Sequence, residues 1–298
     1  MADVADVAAV VATYNALPWV EQCLGSLVGT ETVVVDNGSS DGTVHFVRDR
    51  FPGVHVIEQE NLGLAAAWKR GLETASPSRW VLILNADAWL VGNALERLVA
   101  VGDTHPGVAV VAPKLLNPGG SLQRSVRGFP TLWRLATEYL YLRKLGPRTE
   151  LFNAFYGAGF DHASEREVEC LMGACLLVRR AAIEEAGEPD PDFFLFSEEV
   201  DWLYRFAQAG WRTLFTPEAT CAHVGGASHG GLLYRENLRG MLRFFHKHHG
   251  DVEAERVRRL LRGSLVVRGR LVRGQRGAMY RDGAHWLGTG DVRSLIER

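Results

Sequence analysis

Apolar runs of strand length alternate with segments of helical periodicity along the first half of the chain. The strands are predicted at 7–13, 32–35, 54–58, 80–84 and 108–112, and the helices at 17–27, 42–50, 64–74 and 92–104. Continuous apolar strands separated by helices indicate a parallel sheet with both faces covered, so the sequence predicts an α/β fold. Ligands of such sheets bind beyond the carboxyl ends of the strands, which makes the residues after each strand the first candidates for chemistry.

The regular alternation weakens in the middle of the chain. Residues 117–169 mix aromatic and basic side chains without a clear period, as in an irregular insertion that carries acceptor-binding loops. A strand is predicted at 171–178, and a helix at 199–209 that ends at Gly210. After Gly231 the pattern is mainly helical.

Charge is unevenly distributed along the chain. The formal net charge is −2, yet nine arginines and no Asp or Glu lie between Arg256 and Arg281. Removing those nine positive charges leaves −11 for the remainder, so an acidic body carries a basic tail. Apolar residues at 257, 260, 261 and 265 share one helical face of this tail. Such a face can lie on an anionic membrane, or it can pack on the protein and leave the arginines solvated. Nucleic acid is not expected as a partner, because base-reading motifs are missing.

Location follows from the apolar content and the first residues. No apolar run approaches the ~20 residues of a membrane span, and the start lacks the basic region of a signal peptide while carrying Asp3 and Asp6. No C-x-x-C pair exists among the four cysteines, which predicts buried, reduced thiols. The sequence therefore predicts a cytoplasmic protein.

Polar residues follow the predicted strand at 32–35. Asp36 stands where the strand stops, and a carboxylate there can accept a hydrogen bond from a nucleobase N–H or a ribose hydroxyl. Asn37-Gly38 permits a turn, and Ser40 or Asp41 can cap the next helix. Residues 39–43 therefore also fit purely structural turn chemistry.

Two further positions carry groups that suit a divalent cation. Asn85-Ala86-Asp87 follows the strand at 80–84, and alternation would place Asn85 and Asp87 on one side. A hard cation held by one carboxylate, with phosphate oxygens completing its shell, needs few protein ligands. The alternative is a turn with a capping Asp. His223, with glycines and His229 after it, can ligate a metal through a neutral imidazole, although a lone His is more often structural.

Three carboxylates lie within four residues in the aromatic segment 193–202. They are Glu198, Glu199 and Asp201. Carboxylates near apolar surface are candidates for a raised pKa and for general-base catalysis. Acidic residues are also favoured at a helix N-terminus by the helix dipole, so both explanations stay open.

Taken in order, the motifs resemble the family-2 glycosyltransferases of the GT-A fold, especially the rhamnosyltransferase-like branch. They are V-V-A-T-Y-N at 10–15, V-V-D-N-G-S-S-D-G-T at 34–43, N-L-G-L-A-A-A at 61–67, L-I-L-N-A-D at 82–87, G-A-C-L-L-V-R-R at 173–180, F-F-L-F-S-E-E-V-D at 193–201, A-G-W at 209–211 and H-V-G-G-A-S at 223–228. The resemblance spans about residues 8 to 250. Eight motifs in order make it highly specific.

This resemblance implies a GT-A-type, Rossmann-like, mostly parallel sheet flanked by helices, with a helical basic C-terminal extension. The glycosyltransferase domain would cover 1–230, with a nucleotide-sugar half at 1–115 and an acceptor and catalytic half at 116–230. The extension would cover 231–298. The implied reaction is inverting transfer of a sugar, rhamnose from dTDP-rhamnose, to a hydroxyl of a glycan, lipid-linked or small-molecule acceptor. Many such enzymes act at the inner face of a membrane.

The resemblance also assigns residues. The donor would contact Thr13, Tyr14, Asn15, Asp36, Asn37, Asn61, Gly63, Lys69, Asn85, Ala86 and Asp87. Asp87 and His223 would hold Mg²⁺ or Mn²⁺, and Glu199 would be the catalytic base, with Glu198 and Asp201 as alternatives. The chain departs from the family in carrying Glu at 199, where the base is Asp, and Trp68-Lys69, where many relatives carry Asn.

Two other function classes are weighed against this one. A nucleotidyltransferase would need a Gly-rich, basic phosphate loop after the first strand, and A-T-Y-N-A-L-P at 12–18 has neither feature. A catalytically degenerate domain that binds a glycan or a partner enzyme is the second alternative. Retention of Asp36, Asp87, Glu199 and His223 argues against it.

Overall fold

The computed structural model describes residues 6–225 and 233–297. The strands are β1 Val7–Thr13, β2 Glu31–Asp36, β3 His55–Glu58, β4 Trp80–Asn85, β5 Ala88–Leu90, β6 Val108–Leu116, β7 Leu122–Gln123, β8 Val126–Arg127, β9 Arg166–Val168, β10 Cys170–Leu171, β11 Cys175–Arg179 and β12 Arg212–His223. The helices are α1 Val20–Gly25, α2 Thr43–Arg50, α3 Leu64–Thr74, α4 Ala94–Thr104, α5 Leu132–Tyr139, α6 Glu150–Asn153, α7 Arg180–Ala186, α8 Glu198–Gln208, α9 Leu233–Leu271, α10 Gly274–Trp286 and α11 Val292–Ile296. Short 3₁₀ helices lie at Leu142–Leu145 and Ala154–Gly159.

Ten of these strands form one mixed sheet, which confirms the α/β class. Its main path runs β3-β2-β1-β4-β11-β6-β12-β5, with β7 paired to β6 and β9 to β12. The first four strands are parallel, as the alternation with helices predicts. β11 then runs antiparallel between β4 and β6. The strand predicted at 171–178 is split, because β10 leaves the main sheet and pairs with β8.

The central strands are apolar along their whole length because both of their faces are covered. Every residue of β1 is buried, and β4 is buried from Trp80 to Leu84. The main apolar cluster joins these strands to α1, α4 and β11, and all four cysteines are buried and unpaired. A strand without a solvent-facing side shows no period-2 pattern, so its length and its flanking turns identify it.

β12 is the longest strand, and the hydrophobic pattern of the sequence did not predict it. It contains Pro217 and Glu218, and its pairing with β6 shifts register between Thr216 and Thr220. A bulge of this kind interrupts the alternation of side chains, and a proline removes one ladder hydrogen bond. The sequence therefore carried no regular signal for a strand that lies well inside the sheet.

The described residues fall in two compact units. The first comprises 6–127, Asp161–Asp192 and 199–225, and the second comprises Gly128–Phe160, Phe193–Glu198 and 233–297. Segments of the predicted 116–230 half thus group with the C-terminal helices. The predicted domain boundary between 230 and 231 stays a prediction.

The helices of the second unit cover the apolar face of the basic tail, for which the sequence left membrane binding and packing on the protein open. Val257, Leu261 and Leu265 on α9 are fully buried, and Leu265 approaches Gly283 of α10. This face therefore packs on the protein, the second of the two alternatives, and is not available to a lipid surface. Over residues 6–225 and 233–297, no helix combines the length and the hydropathy needed to cross a bilayer.

Glycine sets the distance at which α3 packs on the sheet. A Cβ built on Gly71 would lie 2.2 Å from Cγ1 of Val10 on β1. Any larger residue must therefore push the helix off the strand. By contrast, a Cβ on Gly25 at the end of α1 would meet no atom within 4 Å.

We expect Gly71→Ala to lower the free energy of unfolding by about 1–3 kcal/mol, because overpacking forces the backbone to shift. Gly25→Ala is the matched control and should change the free energy of unfolding by less than about 0.5 kcal/mol. Denaturant melts of the two variants measure the difference. Equal stability of the two proteins would contradict the close packing of α3 on β1.

Candidate active site

A buried carboxylate organises the loop that follows β2. Asp36 is 1 % exposed and accepts four hydrogen bonds. The donors are the hydroxyls of Thr13 and Ser39, each at 2.6 Å, and the backbone N–H groups of Gly38 at 3.1 Å and Ser39 at 2.7 Å. Asp36 thereby ties the end of β1 to the loop after β2. Its carboxylate reaches a nucleobase only if one of the two hydroxyls rotates away.

The loop after β1 is tied to the same segment. Asn15 has a positive φ of 50°, its N–H donates to Ser39 Oγ at 2.8 Å, and its Oδ1 accepts from Ser40 N–H at 2.9 Å. A residue of this kind in the left-handed region needs support from its surroundings. Tyr14, immediately before Asn15, is half exposed at this edge of the sheet.

A second carboxylate, Asp41, closes the turn before α2. It accepts from Thr43 Oγ1 at 2.6 Å and from the N–H groups of Leu17 and Thr43 at 3.0 Å. Burial raises the pKa of Asp41, but these hydrogen bonds outweigh that effect and hold it below its usual value. Thr43 Oγ1 also accepts from Ala16 N–H at 2.9 Å. The segment 39–43 therefore performs the structural task that turn chemistry predicts.

Three predicted donor residues shape a third loop. Asn37 is buried; its Nδ2 donates to Gly63 O at 3.2 Å, and its Oδ1 accepts from Gln59 Nε2 at 2.8 Å. Gly63 donates its N–H to Asn61 Oδ1 at 3.2 Å and adopts a φ of 94°, which favours glycine.

Lys69 lies on α3, half-buried, and pairs with Glu188 at 3.4 Å. Its contact with a diphosphate would require this weak ion pair to open.

Strand pairing brings Asp87 and His223 together although they are far apart in sequence. β5 pairs antiparallel with the end of β12, and His223 stands opposite Ala88 in that register. Asp87, in the turn before β5, therefore lies beside His223, with Oδ1 and Nε2 3.4 Å apart. Asp87 also accepts from the N–H of Gly225 through Oδ2 at 3.2 Å and from the N–H of Val224 through its carbonyl at 3.0 Å. His229 and residues 226–228 lie outside the described residues.

The other ring nitrogen of His223 is held by Gln123 on β7. His223 Nδ1 lies 2.7 Å from Gln123 Oε1, and Gln123 Nε2 in turn donates to Asn117 Oδ1 at 3.1 Å. With Oε1 as the acceptor, Nδ1 donates the hydrogen bond, and this contact orients Nε2 toward Asp87. Gln123 was missed by the sequence analysis. It lies in the irregular segment, and nothing in its local pattern marks it.

This pair of groups fits a divalent cation. Burial raises the pKa of Asp87, but His223 and the Gly225 N–H outweigh that effect, so the pKa lies below its usual value and the carboxylate is ionised. A carboxylate oxygen and a deprotonated Nε2 are both electron donors, and two ligands of one cation lie about 3 Å apart when each is about 2.1 Å from it. The described residues contain no cluster of three or more Asp, Glu, His or Cys ligands. Other oxygens, such as those of phosphate and water, would complete the shell.

Asn85 contributes differently from Asp87. Its backbone belongs to β4, where its N–H donates to Ala174 O at 3.0 Å. The strand ends there, so the alternation that would place Asn85 and Asp87 on one side does not extend to Asp87. The Oδ1 atom of Asn85 is buried without a hydrogen-bond partner in the described structure, and Ala86 is buried next to it. An unpaired buried amide oxygen is costly, and a ligand can satisfy it.

The three acids at the start of α8 have distinct surroundings. Asp201 is fully buried and pairs with Arg205 at 2.9 Å, and Arg205 also donates to the carbonyls of Ala186 and Glu188. Asp201 is therefore a structural ion-pair partner, and burial keeps it from any acceptor. Glu198 is buried as well, whereas Glu199 is half-buried.

Glu199 has the properties that a general base requires. Its Oε2 atom is buried and has no hydrogen-bond partner in the described structure. Burial raises the pKa of the carboxyl, and backbone hydrogen bonds and the charge of Arg127 offset part of that rise. A carboxylate with a raised pKa, one of whose oxygens has no hydrogen-bond partner in the described structure, is poised to accept a proton.

Gly173 and Trp68 define one side of Glu199. A Cβ on Gly173 would lie 2.9 Å from the Trp68 ring and 3.3 Å from Cβ of Glu199, so only glycine fits between them. Trp68 is fully buried, and its Nε1–H has no partner in the described structure. Trp68 is one of the residues at which the sequence departs from the family. Only the fold places it beside Glu199.

The chain is similar in sequence to known glycosyltransferases. The profile described as "Glycosyl transferase family 2" matches residues 8–186. An "N-acetylglucosaminyl-diphospho-decaprenol L-rhamnosyltransferase" of Mycobacterium tuberculosis (strain ATCC 25618 / H37Rv) is 31 % identical over 292 residues, covering 91 % of this chain and 94 % of the relative. "Glycosyltransferase AglE" of Haloferax volcanii is 25 % identical over 229 residues, covering 73 % of this chain and 66 % of the relative.

Two solved structures share the fold. GalNAc-T7 with UDP, GalNAc and Mn²⁺ has a TM-score of 0.59 at 16 % identity, covering 84 % of this chain and 50 % of that chain. The mannosyltransferase PcManGT from Pyrobaculum calidifontis, in complex with GDP-Man and Mn²⁺, has a TM-score of 0.57 at 18 % identity, covering 98 % and 83 %. The likeness confirms the GT-A-type fold that the motifs imply.

We expect Asp36→Asn to destabilise the protein as well as to change any ligand affinity. The amide offers one acceptor oxygen where the carboxylate offers two, so a backbone N–H or a buried hydroxyl loses its partner. The free energy of unfolding should fall by about 1–3 kcal/mol in denaturant melts. Asp49→Asn, on the exposed surface of α2, is the control and should leave stability unchanged. An unchanged melt for Asp36→Asn would show that the four hydrogen bonds do not hold the loops.

Proposed function

The chain belongs to glycosyl transferase family 2 and is a glycosyltransferase, and from that premise we propose that it transfers L-rhamnose, from dTDP-rhamnose, to a lipid-linked N-acetylglucosaminyl acceptor with inversion. The sugar and the acceptor are supported by the name of the mycobacterial relative, which aligns over nearly its whole length. The mechanism is supported by the approach of Asp87 to His223, since this pair suits a cation that binds a diphosphate.

Asp87 and His223 would hold Mg²⁺ or Mn²⁺ together with the phosphates of the donor. Both structural neighbours are complexes with Mn²⁺. The bound cation would supply Lewis-acid stabilisation of the charge on the leaving nucleoside diphosphate. Gln123 holds the imidazole with Nε2 toward Asp87, and the N–H of Gly225 holds the carboxylate. These contacts fix both ligands before the donor binds, which lowers the cost of binding.

The donor nucleotide would lie along the loops that Asp36 joins. Thr13, Tyr14 and Asn15 would border the base, and Asp36 would accept its N–H once a hydroxyl rotates away. Asn37, Asn61 and Gly63 would shape the neighbouring wall, and Lys69 would meet the diphosphate after releasing Glu188. Asn85 Oδ1 would gain the hydrogen bond that it lacks.

Glu199 would remove the proton from the acceptor hydroxyl. The deprotonated oxygen then forms a bond to the anomeric carbon while the bond to the diphosphate breaks on the opposite face, and the configuration inverts. Glu198 is more deeply buried, and Asp201 is held by Arg205, so Glu199 is the best placed of the three acids. Holding both substrates in line supplies much of the remaining acceleration.

We also propose that the enzyme is cytoplasmic and works at the inner face of the plasma membrane. The acceptor named for the mycobacterial relative carries a decaprenol lipid, which resides in a membrane. An enzyme that acts on the head of such a lipid must approach the bilayer surface.

The cation assignment is tested by binding alone. Mn²⁺ should increase the thermal stabilisation that dTDP confers on the wild-type protein, because a ligand specific to the native state shifts its melting temperature. Asp87→Ala and His223→Ala should lose this Mn²⁺-dependent increase, and Gln123→Leu should weaken Mn²⁺ by about 10–100-fold. Asp49→Ala serves as the control. An Mn²⁺-dependent increase that persists in Asp87→Ala would refute the site.

The base assignment is tested by turnover. Glu199→Gln should retain dTDP-rhamnose binding while kcat falls by ~10²-fold or more, and Glu199→Asp should restore part of the activity. The base acts when ionised, so kcat/KM should decrease as the pH is lowered through the pKa of Glu199. Because that pKa is raised, the midpoint of the decrease should lie above the ~4.3 expected of an ordinary glutamate. Glu198→Gln is the matched control. Larger damage from Glu198→Gln than from Glu199→Gln would transfer the role to Glu198, and no turnover in wild type with donor, acceptor and Mn²⁺ would favour a degenerate binding domain.

A further inference from the structure

Several large apolar side chains of the second unit are exposed, including groups after α5 and at the end of α9. Leu145 is 74 % exposed in the 3₁₀ helix after α5, and Leu271 is 76 % exposed in the last turn of α9. Leu140 and Val267 are about half exposed. Val267 and Leu271 are four residues apart and share a helical face, which differs from the covered face at 257, 261 and 265.

Arg268 joins these two places into one surface. Its guanidinium is buried, donates to Tyr139 O at 2.9 Å and Glu138 O at 2.6 Å, and lies 4.1 Å from the centre of the Tyr141 ring. The end of α5 and the end of α9 are therefore neighbours. We call the exposed residues around this junction the α5–α9 patch. It consists of Leu140, Tyr141, Leu145, Val267 and Leu271.

Basic side chains lie close in sequence to the apolar residues of the α5–α9 patch. Arg270, Arg273 and Arg276 are exposed, and none of them makes a hydrogen bond or an ion pair within the part of the chain that the structure describes. Lys144, exposed in the 3₁₀ helix, lies 5.0 Å from the centre of the Tyr141 ring. No Asp or Glu occurs between 256 and 281, and Arg270, Arg273 and Arg276 form no ion pair within the described residues.

The arginines at the other end of the same stretch behave differently. Arg256 pairs with Glu253, and Arg258 and Arg259 both pair with Glu255. Arg270, Arg273 and Arg276 thus lie close in sequence to the exposed Val267 and Leu271. A surface that combines exposed leucines with unpaired cations suits a partner that is both apolar and anionic.

We infer that the α5–α9 patch docks the enzyme on an anionic lipid bilayer, with its leucines at the acyl boundary and its basic side chains among the headgroups. This deepens the proposed function, on which it rests for the lipid-linked acceptor. A second copy of the chain would bring like charges together, which is unfavourable. Nucleic acid would pair with the arginines but leave Leu145 and Leu271 in water. The bilayer satisfies both kinds of side chain.

The test uses the full-length protein and vesicles without donor or acceptor. Co-sedimentation should be strong with phosphatidylglycerol vesicles at low salt, weak with phosphatidylcholine vesicles, and weak at about 1 M salt, where the Debye length is about 3 Å. The double variant Leu145→Gln with Leu271→Gln should reduce binding by about tenfold or more. The triple variant of Arg270, Arg273 and Arg276 to Gln should reduce it at least as much and flatten the salt dependence.

Two matched controls lie on the same helix. Val252→Gln replaces an exposed apolar residue of α9 outside the patch, and the double variant Arg256→Gln with Arg259→Gln removes two exposed but paired arginines. Both should bind vesicles as the wild type does, and all variants should keep the wild-type melting temperature. Absent binding to phosphatidylglycerol, equal losses in controls and patch variants, or binding to duplex DNA in place of vesicles would overturn the inference. Transfer to a water-soluble acceptor tests the proposed function separately, since it does not need the bilayer.

Discussion

The short pairing between β5 and the end of β12 is the contact on which the proposed site depends. It sets His223 opposite Ala88 and thereby places an imidazole beside Asp87. β12 is itself held between β6 and β5, so the position of His223 is fixed by the main sheet and not by a flexible loop. Ligands carried by strands that share a ladder keep their separation, which is what a two-ligand site requires when substrate oxygens must complete the coordination.

Hydrogen bonding divides the polar residues of the first unit into two groups. Asp36, Asp41 and Asn37 form hydrogen bonds with neighbouring loops, so they give the surface its shape. Asn85 Oδ1 and Glu199 Oε2 are buried without partners in the described structure. Unsatisfied buried oxygens are uncommon because each costs free energy, and they concentrate where a ligand or a reacting group will supply the missing contact. Both atoms are therefore candidates for contact with a ligand or a reacting group.

The apolar and basic side chains of the C-terminal helices are buried in one part of α9 and exposed in another. On one face of α9 the apolar residues are covered and Arg268 is buried against backbone carbonyls and tyrosine rings. At its end, leucine and arginine side chains remain exposed together. The periodicity at 257–265 described the first face correctly as helical and apolar, but it did not show that other helices cover it. Helical periodicity identifies a face, whereas its partner is decided by packing.

The sequence by itself determined the α/β class, the first parallel strands and the motifs that mark the family, because these depend on local apolar runs and on residues within a few positions of each other. It also named Asp87, His223 and Glu199 as candidates by residue type and order. The tertiary structure alone decided that Gln123 holds the imidazole, that Arg205 forms an ion pair with Asp201, and that Trp68 and Gly173 border Glu199. Each of these contacts except that of Arg205 with Asp201 joins residues distant in the chain, and whether an acid is paired, buried or available depends on the fold around it. A linear pattern records the groups that a chain carries, but their separation, burial and hydrogen-bond partners arise only when the strands and helices pack.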